Sequence, residues 1–374
     1  MIWLAAATAL AWAVLMLGRG MFWRGDVTDA ADQPGPAAWP PITILVPARD
    51  EAPSIAAVTR ALLEQDYPGE LTLWVVDDRS RDGTGELARA VGDARLTVIT
   101  GQPQPVGWTG KLWALQQGLE AARPTTPDLL FTDADIIHAP DSLRRLVARA
   151  EAGGFALTSL MAKLRCESAA ERFFIPAFIY FFQMLYPFAW VNDPHARTAG
   201  AAGGCVLLRR ESFEAAGGLA AIRGAMIDDC TLAALIKRHG GGLWLGLTDR
   251  VVSLRACDSV APIRAMVART AYAQLRYSPA LLVGMLAALA LVFLAPPLLL
   301  LFAEGPAWWL GAAAWGAMTL SFVPIQRFYG LSSWRALALP AVALAYMLYT
   351  LDSARKHHLG CGGMWKGEAG PPPM

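Results

Sequence analysis

Short acidic groups recur where apolar runs end. Asp50-Glu51 follows ITILVPA (Ile42–Ala48), Asp77-Asp78 follows LTLWVV (Leu71–Val76), and Asp133-Ala134-Asp135 follows DLLFT (Asp128–Thr132). Another pair, Asp228-Asp229, lies further along the chain. Carboxylates brought together repel unless a cation, hydrogen bonds or a polar ligand offset their charge. Asp133 and Asp135 offer hard oxygen ligands of the kind that Mg²⁺ or Mn²⁺ takes. By itself Asp228-Asp229 reads as an acidic pair complementing a helix N-terminus.

The elements between these groups alternate. β-branched, apolar runs at Ile42–Ala48, Leu71–Val76, Leu96–Thr100 and Asp128–Thr132 read as buried strands. Helical patterns lie between and after them. Ile55, Val58, Leu62 and Leu63 share one face of the first, followed by Gly83–Val91, Lys111–Ala122 and Asp141–Glu151. Such alternation predicts an α/β domain with a mostly parallel sheet. In an open sheet of this kind the ligand crevice lies beyond the carboxyl ends of the strands, so the acidic groups should meet in one cleft.

Other phosphate and metal devices are missing from the sequence. No GxGxxG follows a strand, and Gly110-Lys111 lacks the upstream glycine and the following Ser or Thr of a P-loop. Asp78–Gly83 resembles a calcium loop, but its twelfth position is Arg89 rather than Glu. Cys166, Cys205, Cys230, Cys257 and Cys361 show no CxxC spacing, which predicts reduced thiols and neither a disulfide framework nor a zinc site.

Charge and hydropathy place the chain at a membrane. The 32 Lys and Arg minus 31 Asp and Glu leave +1, so nothing points to nucleic acid. Charged residues make up 17% of the chain, against about 25% in soluble proteins. Residues 1–18 read as an uncleaved anchor, since Arg19 and Arg24 follow the apolar run; this puts the next domain in the cytoplasm. Residues 19–41 read as a polar, Pro-rich linker, 42–276 as the α/β domain, 279–351 as a membrane region of two or three helices, and 352–374 as a tail. The stretch Ala336–Leu351 reaches only about 24 Å, which leaves its crossing open and with it the side on which Arg355, Lys356 and Lys366 lie. The aromatic segment Phe173–Trp190 reads either as an interfacial helix that admits a lipid or as a core helix.

Taken in order, VPARDE, VVDDRSRDGT, GKLWALQQGL, TDADI, GGCVLLRRESFEAAGG and IDDCTL resemble the successive motifs of family 2 glycosyltransferases. GWTGKLWAL and RTAYAQLRYSP, with the flanking apolar segments, are similar to the glycosyltransferase associated with bacterial hopanoid clusters and, more distantly, to ceramide glucosyltransferases. The resemblance implies a GT-A-type nucleotide-sugar-binding domain, N-terminal and C-terminal transmembrane helices, a bacterial inner-membrane location and an inverting, metal-dependent transfer. By the same resemblance Asp50 and Glu51 help hold the nucleotide, with Asp standing where the family has Asn. Asp78 and Asp77 accept from the nucleotide base, and Lys111 lies near the donor. Asp135 is the preferred ligand of Mn²⁺ or Mg²⁺, and Asp133 lies near the ribose or a metal-bound water. Asp229 is the general base, beside Asp228 where Glu is usual.

These residue types suit attack by an acceptor hydroxyl through an oxocarbenium-like transition state, with a base on one side and counter-charge for the leaving diphosphate on the other. The partners implied are a nucleotide sugar, UDP-linked by family habit, and a lipid acceptor. Gln274-Leu275-Arg276-Tyr277 is a compressed form of the QxxRW of processive enzymes, which favours transfer of a single sugar. Arg276 or Arg269 contacts the diphosphate, or else flanks the next membrane segment. A processive synthase, a nucleotidyltransferase and a sugar-nucleotide-binding module are the alternatives.

Overall fold

The computed structural model describes residues 1–360, together with the backbone of 364–365 and 368–369. Cys361 and Lys366 therefore lie outside the described side chains. The chain divides into two compact units. Among the described side chains, one gathers Met1–Asp26, Cys166–Ala189 and 256–360; the other holds Val27–Arg165 and Trp190–Arg255. The span 42–276 is thus not a single contiguous body, because 166–189 and 256–276 group with the apolar helices.

The second unit is built on eight strands: β1 (Ile42–Ala48), β2 (Leu71–Asp77), β3 (Leu96–Thr100), β4 (Asp128–Thr132), β5 (Ile136–His138), β6 (Leu157–Lys163), β7 (Cys205–Arg209) and β8 (Leu243–Ser253). Their order is β3-β2-β1-β4-β7-β6-β8-β5. The first four are parallel, as are β6 and β8, while β7 runs antiparallel to both its neighbours. All seven residues of β1 are buried, as expected for a strand covered on both faces. Helix Ile55–Leu63 packs Ile55, Val58, Leu62 and Leu63 into the same core as Ile44, Leu73 and Leu130. Each such side chain contributes about 1.5–3 kcal/mol on burial. Helix Gly110–Ala122 lies close on the sheet because Gly118 has no side chain; a Cβ there would sit 2.7 Å from Leu45 and 2.9 Å from Val76.

Strand order creates the cleft. The chain winds outward from β1 to β3, then returns to the other side of β1 with β4, so the direction switches between β1 and β4. Asp50-Glu51 and Asp133–Asp135 leave from these two strands. Because β7 is antiparallel, its first residue Cys205 pairs with Thr132 at the end of β4, which brings Gly203 to the same rim. The predicted tether is partly fastened to this sheet: the Asp29 amide donates to the Leu247 carbonyl (3.0 Å), and Leu247 returns a bond to Val27 (2.9 Å).

In the other unit, three of the described helices are long and apolar enough to cross a membrane: Pro279–Phe302, Gly305–Phe328 and Ser333–His358. The last corrects the reach read from sequence. Pro340 sits in the first turn of its α-helical part, where a missing N–H costs nothing, and the 20 α-helical residues alone extend to about 30 Å. Helix Ile2–Gly18 is shorter but tightly held. A π-turn at Ala290–Leu294 and the prolines after it free the Leu291 and Val292 carbonyls, which accept from the Thr8 hydroxyl (2.7 Å) and the Trp12 indole (2.7 Å).

Helix Ala169–Leu185 begins with a capping box, the buried Glu171 carboxylate accepting from Ser168 and Cys257 amides (2.8 and 2.7 Å). Its Phe174 and Tyr180 are buried against Tyr346, Tyr349 and Phe322. These two aromatics are core side chains of their unit. The four described cysteines are free thiols.

Candidate active site

Lys111 is the hub of the site. It occupies the second position of helix Gly110–Ala122, and its Nζ lies 2.8 Å from Asp133 Oδ1 and 3.3 Å from Asp228 Oδ2. Burial pulls the ammonium toward neutrality, but Asp133 and Asp228 more than reverse this, so its pKa lies above the ordinary lysine value. Asp228 and Asp229 open helix Asp228–Arg238, where the helix dipole favours negative charge.

Asp229 accepts from the Gly203 amide at Oδ2 (2.8 Å) and from the Cys230 amide at Oδ1 (2.7 Å). Its pKa is pushed up to about 6, by burial first and then by Asp228, against the opposing effect of Lys111 and the two amides. Gly203 leaves room for this approach. A Cβ there would stand 3.0 Å from Lys Nζ and 3.3 Å from Asp229 Oδ2. Pro47, Phe131, Thr132, Leu219 and Ile222 are among the other residues lining the pocket that holds Lys111, Asp133, Asp228 and Asp229.

A second cation closes the other edge. Arg255 Nε donates to Asp135 Oδ2 (2.8 Å) and its Nη2 donates to Glu51 Oε1 (2.7 Å). Sequence reading passed over Arg255, since nothing in the run Ser253–Cys257 marks it apart from its position just after a strand. Asp133 and Asp135 each hold a cationic side chain, so this rim attracts positive charge. Among the described residues no three His, Cys, Asp or Glu groups gather into a metal cluster. Two carboxylates with phosphate oxygens and water are nonetheless the set by which Mg²⁺ is commonly held, so the donor chemistry fits a divalent cation.

The remaining predicted residues separate into two groups. Asp50 adopts φ 49°, a left-handed conformation that Asp tolerates, and its Oδ1 accepts from the Arg81 amide (2.9 Å) while its own amide donates to Ser80 Oγ (3.0 Å). Its carboxylate thus fastens the loop after β2. Asp77 accepts from the Ser80 amide (3.1 Å), and Asp78 pairs with Arg49 (3.1 Å) at the end of the same strand. Arg276 belongs to the other compact unit, with φ 52° and its amide on the Ala273 carbonyl (2.9 Å).

The turn carrying Asp133–Asp135 is set by a buried histidine. Thr132 Oγ1 gives its proton to the Gly204 carbonyl (2.7 Å), so His138 Nε2 donates to Thr132 (2.9 Å). Burial lowers the His138 pKa to about 4. Unfolded histidine titrates near 6.5, so between these values the unfolded chain binds more protons. The stabilisation is therefore complete above about pH 6.5 and lost as pH falls toward 4, by about 3 kcal/mol. Asp128 and Asp229, raised to about 6, act in the opposite sense. The expected result is in the difference between two proteins. Urea midpoints of wild type and His138→Gln should converge as pH falls from 7 to 4; parallel curves would contradict a buried neutral ring.

Residues 43–217 match the family described as Glycosyl transferase family 2. The chain is 32% identical over 150 residues to an N-acetylglucosaminyltransferase of Mesorhizobium japonicum, covering 38% of this chain and 34% of that one. It is also 32% identical over 95 residues to a 4,4'-diaponeurosporenoate glycosyltransferase of Staphylococcus aureus, covering 25% of this chain and 24% of that protein. The matches thus span about a third and a quarter of the lengths of these relatives. Among solved structures, a mannosyltransferase from Pyrobaculum calidifontis in complex with GDP-Man and Mn²⁺ superposes with a TM-score of 0.57 at 23% identity, over 98% of this chain and 100% of that one, and so shares the fold.

Proposed function

With residues 43–217 belonging to glycosyl transferase family 2, we propose that the chain transfers one sugar, with inversion, from a nucleotide diphosphate sugar to a lipid hydroxyl at a membrane. The observation that carries this reading is the Asp133–Lys111–Asp228 bridge, which couples a donor-side carboxylate to the pair that contains the base. Lys111 pairs with Asp228 (3.3 Å), leaving Asp229 to take the acceptor proton as the new bond forms. The Gly203 and Cys230 amides orient the Asp229 carboxylate for that step. Asp77 and Asp78 receive the nucleotide base, and Glu51 with the loop fastened by Asp50 borders the donor.

Asp133 and Asp135 would hold the divalent cation, which when bound supplies counter-charge for the departing diphosphate. Base and counter-charge on opposite sides of the sugar give one in-line displacement, with no covalent enzyme intermediate. The three long apolar helices support a multi-pass protein of the bacterial inner membrane with its catalytic unit cytoplasmic, and they support a lipid acceptor. Hopanoid lipids are the first acceptors to try, on the motif resemblance given above.

The test is nucleotide release by the full-length protein in detergent, with bacterial lipid extract containing hopanoids, with and without Mn²⁺ or Mg²⁺. UDP-sugars lead the donor panel, and GDP-Man joins it because the Pyrobaculum enzyme was solved with that donor. Metal-dependent release of a nucleoside diphosphate with a new glycolipid, lost in Asp135→Ala, is expected. Pyrophosphate release would instead indicate nucleotidyl transfer, long sugar chains a processive synthase, and absence of release with every donor would overturn the reading.

A further inference from the structure

Arg255 ties together two carboxylates that follow different strands. Glu51 comes after β1, Asp135 after β4, and the guanidinium reaches both from the end of β8 at 2.7 and 2.8 Å. The Asp135 Oδ2 atom also accepts from Ser253 Oγ (3.3 Å). An oxygen with two donors aimed at it does not present the same lone pairs to a metal ion, and a guanidinium beside a dication is repelled.

The accessibilities differ in a way that decides which group moves. Asp135 and Glu51 side chains are 12% and 14% exposed, whereas that of Arg255 is 50% exposed. The carboxylates are set in the wall and the guanidinium covers them from the solvent side. Its backbone is anchored, since the Leu254 amide donates to the Asp135 carbonyl (2.8 Å) and the Arg255 amide to Ser253 Oγ (3.2 Å). The side chain can swing outward while its pivot stays fixed.

We propose that Arg255 is a built-in counter-cation for Asp135 that a divalent cation displaces, and that the freed guanidinium then becomes a partner for the donor's diphosphate. This rests on the reading of Asp135 as a metal ligand. In the donor-free protein the arginine competes with metal; once it is released, a doubly charged phosphate offers its planar fork a replacement for the two carboxylates. Binding of metal and donor thereby becomes mutually favourable.

Titration of Mn²⁺ into the full-length protein without nucleotide, followed by the electron paramagnetic resonance of free Mn²⁺, tests this. Arg255→Ala and Arg255→Gln should bind Mn²⁺ about tenfold more tightly than wild type. Glu51→Gln, which weakens the second anchor of the arginine and leaves Asp135 intact, should shift affinity in the same direction by less. Millimolar guanidinium chloride should weaken binding to Arg255→Ala again, where NaCl at equal ionic strength does not. Thermal melts confirm that each variant is folded. Unchanged or weaker Mn²⁺ binding in both Arg255 variants overturns the displacement, even with Asp135→Asn abolishing binding. Binding indifferent to Asp135→Asn removes the metal-ligand reading itself, and with it the competition.

Discussion

Asp229→Asn is expected to lower the turnover of sugar transfer by about 100- to 10,000-fold while leaving donor affinity nearly unchanged. The carboxylate is the group whose basicity the fold adjusts. Burial and the neighbouring Asp228 raise its pKa to about 6, and Lys111 with two backbone amides keeps it from rising further. An amide has no site for the acceptor proton. It also offers one acceptor where the carboxylate offers two, so either the Gly203 or the Cys230 amide then faces an NH₂ group. For wild type the sign of the pH effect follows directly. The base must be ionised, so turnover falls as pH drops through about 6. The measurement is kcat and donor Kd across pH 5 to 8 for both proteins. A variant that retains wild-type turnover, or that loses donor binding in parallel, would remove Asp229 from the base role.

The second large effect concerns the hub. Lys111→Met leaves Asp133, Asp228 and Asp229 facing one another without their shared cation. Removing one partner of an enclosed charge group costs about 3–5 kcal/mol when burial is complete. The 34% exposure of Asp133 and 24% of Asp228 discount this to about 2–4 kcal/mol. Transfer activity should also vanish, because Asp229 loses the cation that opposes the rise in its pKa and so holds its proton more tightly. Denaturant midpoints of Lys111→Met, Asp133→Asn and the double variant separate the contributions. The double variant should be more stable than Lys111→Met alone, since it has one fewer unpaired carboxylate. Additive losses would show that the Lys111–Asp133 pair carries no coupling.

Much of the catalytic unit can be read from local pattern. The strands at 42–48, 96–100 and 128–132 occur with the expected bounds; every residue of the first and third is buried, which leaves few other ways to remove those apolar runs from water, while 96–100 forms the half-exposed edge. The acidic residues at the strand ends were legible for the same reason: in a wound α/β sheet, topology sends consecutive parallel strand ends to one side. The helix at Ser333–His358 was read too short because Asp352, Arg355 and Lys356 interrupt its hydropathy. Asp352 is paired with Arg264 (2.9 Å) and Lys356 (3.1 Å), a compensation that hydropathy does not register.

Chain order set the acid types and their spacing, and with them the α/β class and the resemblance to a glycosyltransferase family. Which carboxylate meets which cation was decided by tertiary structure alone. Lys111 and Asp228 are far apart in sequence, and the bridge between them depends on strand order and on the antiparallel run of β7. Arg255 carries no motif, and its grip on Glu51 and Asp135 exists only because β1, β4 and β8 deliver three loops to one rim. Asp50 accepts from the Arg81 amide in the loop after β2 and Arg276 groups with the apolar helices, placements that no local pattern foretells. The reason is physical: secondary structure follows from the short-range periodicity of apolar side chains, whereas electrostatic partnership depends on distances of a few ångströms that only the assembled fold defines.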